Sequence, residues 1–113
     1  SACTRGEGVT AEGDLVWTGG GARYVYVLEE GAANPGPPPN LDLPDGTVWR
    51  VDVPPSADPM ESPLKFGALP ASATQRFPAA GVAPDALVSG RTYYVYAMAD
   101  VAIPITRCLF VAP

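Results

Sequence analysis

Alternation of apolar and polar positions is clearest in three stretches of this chain. Thr47 to Val53, TVWRVDV, puts Trp49, Val51 and Val53 on one side and Val48, Arg50 and Asp52 on the other, the period of a half-buried strand. Ala22 to Gly31, ARYVYVLEEG, is an unbroken β-favouring run closed by two glutamates and a glycine. Leu87 to Ala99, LVSGRTYYVYAMA, is the longest such run. Its Ser89-Gly90 turn leads into Thr92, Tyr93, Tyr94, Val95 and Tyr96, so it reads as the central strand of the molecule.

The remaining segments supply shorter neighbours. Residues 1 to 14 are small, polar and glycine-punctuated, and predict at most an edge strand around Val9 and Thr10. Leu15, Val16 and Trp17 form a brief strand that ends at the glycines Gly19 to Gly21. Residues 32 to 46 hold five prolines and cannot support a regular ladder, because proline has no N–H to donate; Pro37 to Pro39 are expected to be extended polyproline II in a stiff loop. Residues 54 to 75 hold five more and predict an irregular crossing segment with Leu64, Phe66 and Leu69 turned inward. A short strand interrupted at Pro78 is expected over Arg76 to Val82, then a turn at Asp100 to Pro104 and a last strand over Ile105 to Ala112. No stretch has helical periodicity and no repeat occurs. About seven short strands in 113 residues predict an all-β fold, an antiparallel two-sheet β-sandwich with long Pro-rich loops at 32–46 and 54–75. They fit a single domain over 1–113 that opens with an N-terminal segment at 1–8.

Leu87, Gly90, Tyr93, Val95, Ala97 and Ala99 resemble the sixth strand of a fibronectin type III module, in which a leucine, a glycine turn and a corner tyrosine precede alternating buried residues. Leu15-Val16-Trp17 resembles that family's second strand with its buried tryptophan, and Tyr24-Val25-Tyr26 its third. An immunoglobulin domain proper fits less well, since Val95 stands where its inter-sheet cysteine would be. The resemblance implies a buried Tyr93 whose hydroxyl bonds back to main chain near the turn, and a structural core that includes Trp17, Tyr24, Tyr26, Leu87, Tyr93 and Val95. With Val95, Ala97 and Ala99 inward, Tyr94, Tyr96 and Met98 point outward. Placing Tyr24, Tyr26 and Leu28 inward on the neighbouring strand leaves Val25 and Val27 outward. The expected outcome is an exposed patch of Val25, Val27, Tyr94, Tyr96 and Met98, a candidate interface unless a Pro-rich segment folds over it.

Composition narrows the functional classes. The 47% hydrophobic content marks a globular chain, and 14 prolines with 12 glycines suit long loops between strands. A net charge of −5, with Lys65 and six arginines as the cations, offers no basic stripe for nucleic acid. No apolar run reaches the ~18 residues of a membrane span. The chain begins without Met and is expected to be a processed or truncated product from which any targeting segment has gone.

Cys3 and Cys108 are open to three readings. Paired, they close nearly the whole chain, a bridge of ~4.7 kcal/mol in the chain-entropy account, and imply an oxidising compartment. Alternatively, Ser1-Ala2-Cys3 resembles the end of a bacterial lipoprotein signal, with a lipid anchor at Cys3. Unpaired thiols are the third possibility. Either of the first two places the protein outside the cytoplasm, as a secreted, periplasmic or cell-surface protein.

Catalytic chemistry is not expected. The chain has no histidine, so histidine-based triads are impossible and the commonest transition-metal ligand is missing. No phosphate loop follows Gly19 to Gly21. Asp42 and Asp45 lack calcium-loop spacing, and Glu29 and Glu30 point to opposite faces of a strand. No cofactor is implied. Two functions remain: a structural or assembly module that binds itself or a partner protein through an aromatic face or a sheet edge, and a monomeric or lipid-anchored module that binds a peptide or carbohydrate.

Overall fold

Strand-forming runs this short gain stability only by pairing across the chain, and they do so in two antiparallel sheets. The computed structural model describes residues 1–33, 43–100 and 103–113. In chain order the strands are β1 (Gly8–Val9), β2 (Asp14–Val16), β3 (Tyr24–Glu29), β4 (Thr47–Asp52), β5 (Leu64–Lys65), β6 (Thr74–Phe77), β7 (Thr92–Asp100) and β8 (Ile103–Val111). One sheet has the order β1-β2-β5 and the other β6-β4-β3-β7-β8, every pairing antiparallel. No helix occurs among the described residues. The fold is an open, two-sheet all-β sandwich; β7, expected as the central strand, runs from the Gly90 turn as an interior strand between β3 and β8, while β3 holds the middle of the larger sheet.

The layer between the sheets is built from Leu15, Trp17, Val25, Val27, Trp49, Val51, Val53, Tyr93, Val95, Ala97, Cys108 and Phe110. Its two tryptophans keep their indole N–H groups satisfied, Trp17 Nε1 donating to the Gly20 carbonyl (2.8 Å) and Trp49 Nε1 to Gln75 Oε1 (2.9 Å). Phe66 closes on Trp49 edge to face at 5.2 Å. Each fully buried valine or leucine here contributes ~1.5–3 kcal/mol.

Val25 and Val27 therefore lie inward, not outward as expected, and both are fully buried. Tyr24, Tyr26 and Leu28 occupy the opposite face of β3. The cause is cross-strand: Val25 pairs with Ala97 and Val51, and Val27 with Val95 and Trp49, so small residues on β3 and β7 leave room for the tryptophans between the sheets. Leu87 packs against this core and Tyr93 and Val95 are buried in it.

The proline-rich stretches hold two further surprises. β5 lies within 54–75, where an irregular crossing was expected; Leu64 is buried there and Phe66 packs on the core, but Leu69 is half exposed. β6 starts at Thr74 and stops at Phe77, because Pro78 cannot continue the ladder. Gly21 lets the chain pass against Pro59, where an added Cβ would lie 2.7 Å from the proline Cβ. Just beyond it Ala22 pairs with Met60. The expected turn at Asp100 to Pro104 falls partly outside the described residues, with β7 reaching Asp100 and β8 resuming at Ile103. Pro37 to Pro39 and Asp42 also lie outside them.

Candidate functional site

Three surfaces of the larger sheet come into question: its outer face and its two margins. On the outer face the register sets Arg50, Tyr26, Tyr96 and Arg107 in one row across β4, β3, β7 and β8. The Arg50 guanidinium lies over the Tyr26 ring at 5.1 Å, the two tyrosine rings are 6.3 Å apart, and Arg107 lies 6.0 Å from the Tyr96 ring. Leu28 and Met98 flank this row, and Tyr24 and Tyr94 pack against it half-buried.

Arg50 is itself buried. It donates to Asp52 from Nε at 3.0 Å and from its terminal nitrogen at 2.8 Å. Burial works against its charge, but the Asp52 hydrogen bonds and carboxylate charge more than offset this, so its pKa lies above the ordinary guanidinium value. Of the five residues expected in an exposed patch, Val25 and Val27 belong to the core, while Tyr96 and Met98 are buried on the outer face. Tyr94 alone is half exposed. The aromatic face is thus packed, which removes the apolar exposure that made it attractive as an interface.

The β8 margin is tied to the N-terminus. Leu109 N–H donates to the Ser1 carbonyl and Cys3 N–H to the Leu109 carbonyl, each at 2.8 Å, which lays residues 1–3 alongside the strand. A Cys3–Cys108 disulfide with Cα atoms 4.8 Å apart fastens the same place. One turn further, Glu7 accepts from the Thr4 hydroxyl at 2.7 Å and the Thr4 N–H at 3.2 Å; its second oxygen lies 3.3 Å from the Thr106 hydroxyl and 3.4 Å from that of Thr18. The Thr4 hydroxyl and then its N–H hold this carboxyl below its ordinary pKa.

The β6 margin is different in kind. β6 has β4 as its one neighbour among the described residues, and three of its four residues are exposed. Gln75 accepts from Trp49 and donates from Nε2 to the carbonyls of Pro78 (3.0 Å), Ala79 (3.2 Å) and Val82 (2.7 Å), which folds the following loop beside the strand. Two adjoining grooves result. One of about 440 Å³ runs between Gly67, Leu69, Ala73 and Val82; the other, about 290 Å³, lies among Phe77, Val82, Val88 and Tyr93.

Among the described residues, four of the seven exposed large apolar side chains, Leu69, Phe77, Val82 and Val88, line these two grooves. The sequence pattern turned Leu69 inward and did not mark Phe77, Val82 and Val88 as a surface, because no period links them. Isolated apolar residues in a proline-rich loop were the available signal. Where the chain turns into β7, Val88 N–H donates to the Tyr93 hydroxyl at 2.9 Å, and the Tyr93 ring is buried.

No group of three or more His, Cys, Asp or Glu able to hold a metal occurs among the described residues. No helix among them is long and apolar enough to cross a membrane. In comparisons with known proteins, no family model, no curated protein and no solved structure matches the chain.

Proposed function

We propose that this chain is a non-catalytic, extracytoplasmic protein-interaction module of fibronectin type III-like design that works through the β6 margin of its larger sheet. The observation that carries this reading is the gathering of Leu69, Phe77 and Val82 at the surface beside β6. Exposed apolar side chains scattered singly need no explanation, whereas a contiguous group beside an open strand marks a docking surface.

The likeness to a fibronectin type III module is supported by β3 lying beside β7, by the buried Trp17 after β2, and by the Tyr93 hydroxyl bonded five residues back. The Cys3–Cys108 disulfide is compatible with an oxidising, extracytoplasmic setting, and in the disulfide form Cys3 carries no lipid.

A photo-crosslinking side chain introduced at Leu69 or Val82, in cells that make the protein, tests the reading. Discrete protein adducts from both positions, and none from Arg5 on the far margin, are expected. Absence of adducts from both positions, or equal adducts from Arg5, would contradict it.

A further inference from the structure

We propose that the β6 margin takes up an extended polypeptide segment as an added strand, one whose side chains alternate between apolar and acidic. The inference rests on the protein-binding reading above and specifies its partner. On its outward side, Thr74–Phe77 presents main-chain N–H and C=O groups that β4 does not use. Another strand is the occupant that satisfies donors and acceptors together at strand spacing.

The side chains on either face of β6 define that strand's composition. Gln75 turns toward the core, where it meets Trp49, so Arg76 turns to the opposite face, toward Asp52. A strand laid beside β6 keeps the same alternation. On the Gln75 side its residues reach the groove between Leu69, Ala73 and Val82, whose lining carries no charged side chain and whose volume of about 440 Å³ admits groups of valine or leucine size. On the other side they meet Arg76, which is exposed and 3.7 Å from an Asp52 carboxylate that Arg50 already holds at 2.8 Å. Because Arg50 already engages Asp52 at 3.0 and 2.8 Å, that carboxylate holds Arg76 only loosely and leaves its guanidinium at the surface.

A carboxylate on the incoming strand is the complement of the exposed Arg76 guanidinium. A second copy of this chain is a poor occupant: β6 carries no acid of its own, and two-fold pairing would bring two Arg76 side chains together between two bodies of like net charge.

The test is a titration of the uniformly ¹⁵N-labelled full chain with a terminally blocked six-residue peptide alternating valine and glutamate, followed by amide shifts. Shifts confined to residues 67–69, 73–77 and 80–83 are expected. They should be abolished when alternate peptide amides are N-methylated. Leu69→Asp should weaken binding about tenfold. Arg76→Gln should weaken the valine–glutamate peptide about threefold and leave a valine–threonine peptide unchanged. Both substitutions are at exposed positions, and an undisturbed spectrum elsewhere establishes that the fold is intact.

Shifts located elsewhere, equal binding by the N-methylated peptide, or no shift at millimolar peptide would overturn the proposal. Shifts in β6 that follow protein concentration without peptide would overturn it in favour of a second copy. If crosslinking from Leu69 succeeds while the peptide fails, strand addition alone is lost; if both fail, the β6 margin has no binding role.

Discussion

The two margins of the larger sheet present the same backbone chemistry and are finished in opposite ways. A bare strand edge is a template for association, and folded proteins commonly cover it. At β8 the chain does so with its own first residues, fastened by two main-chain hydrogen bonds to Leu109, the disulfide and the Glu7 carboxylate. At β6 it does not. The adjoining loop is instead folded by Gln75 into grooves that hold Leu69 and Val82 at the surface. On the proposal made above, β8 is closed for stability and β6 is left for a partner.

The contrast can be broken most strongly at β8. Replacing Cys3 and Cys108 together by serine removes the bridge that spans 105 residues, and should lower stability by ~2–5 kcal/mol in denaturant unfolding. At β6 the vulnerable residue is Gln75. Gln75→Ala leaves the buried Trp49 indole N–H without its acceptor and frees three loop carbonyls, for an expected loss of ~1–3 kcal/mol and a shift in Trp49 fluorescence.

Between the margins, Tyr93→Phe keeps the ring and deletes the hydroxyl that accepts from Val88. Thermal unfolding should report a loss of ~1 kcal/mol. Smaller still is the effect of Glu7. Its folded pKa is lowered, so its contribution is present above the unfolded carboxyl pKa of ~4.3 and is lost as pH falls through the folded value. Stability measured from pH 6 downward should fall less steeply in Glu7→Gln than in the parent. Leu69→Asp should change stability by less than ~0.5 kcal/mol, as befits a half-exposed side chain outside the core.

Much of the framework was legible in the sequence. Period two located β4, the turn at Gly90 located the start of β7, and the resemblance to a fibronectin type III strand implied the buried Tyr93 with its hydroxyl bonded back to main chain. The faces of β3 were not legible. In YVYVLE both alternating sets are apolar and both are buried, so burial preference alone cannot choose between them. The choice is made by partners distant in sequence, Val51, Trp49, Ala97 and Val95 on one face and Arg50 and Tyr96 on the other.

The candidate site was legible only in kind, as a sheet edge. Its residues lie in a proline-rich stretch where position depends on tertiary contacts such as the Gln75 amide against three carbonyls, and neither composition nor period encodes those.

Residue-resolved hydrogen exchange on the oxidised and the reduced protein tests the asymmetry of the two margins most directly. The account predicts that the Leu109 amide is protected while the disulfide is intact and exchanges much faster after reduction, and that the outward-facing amides of Thr74–Phe77 exchange rapidly in both states. Protection throughout β6 equal to that at Leu109 in the isolated protein would contradict it, because the margin assigned to a partner would already be closed.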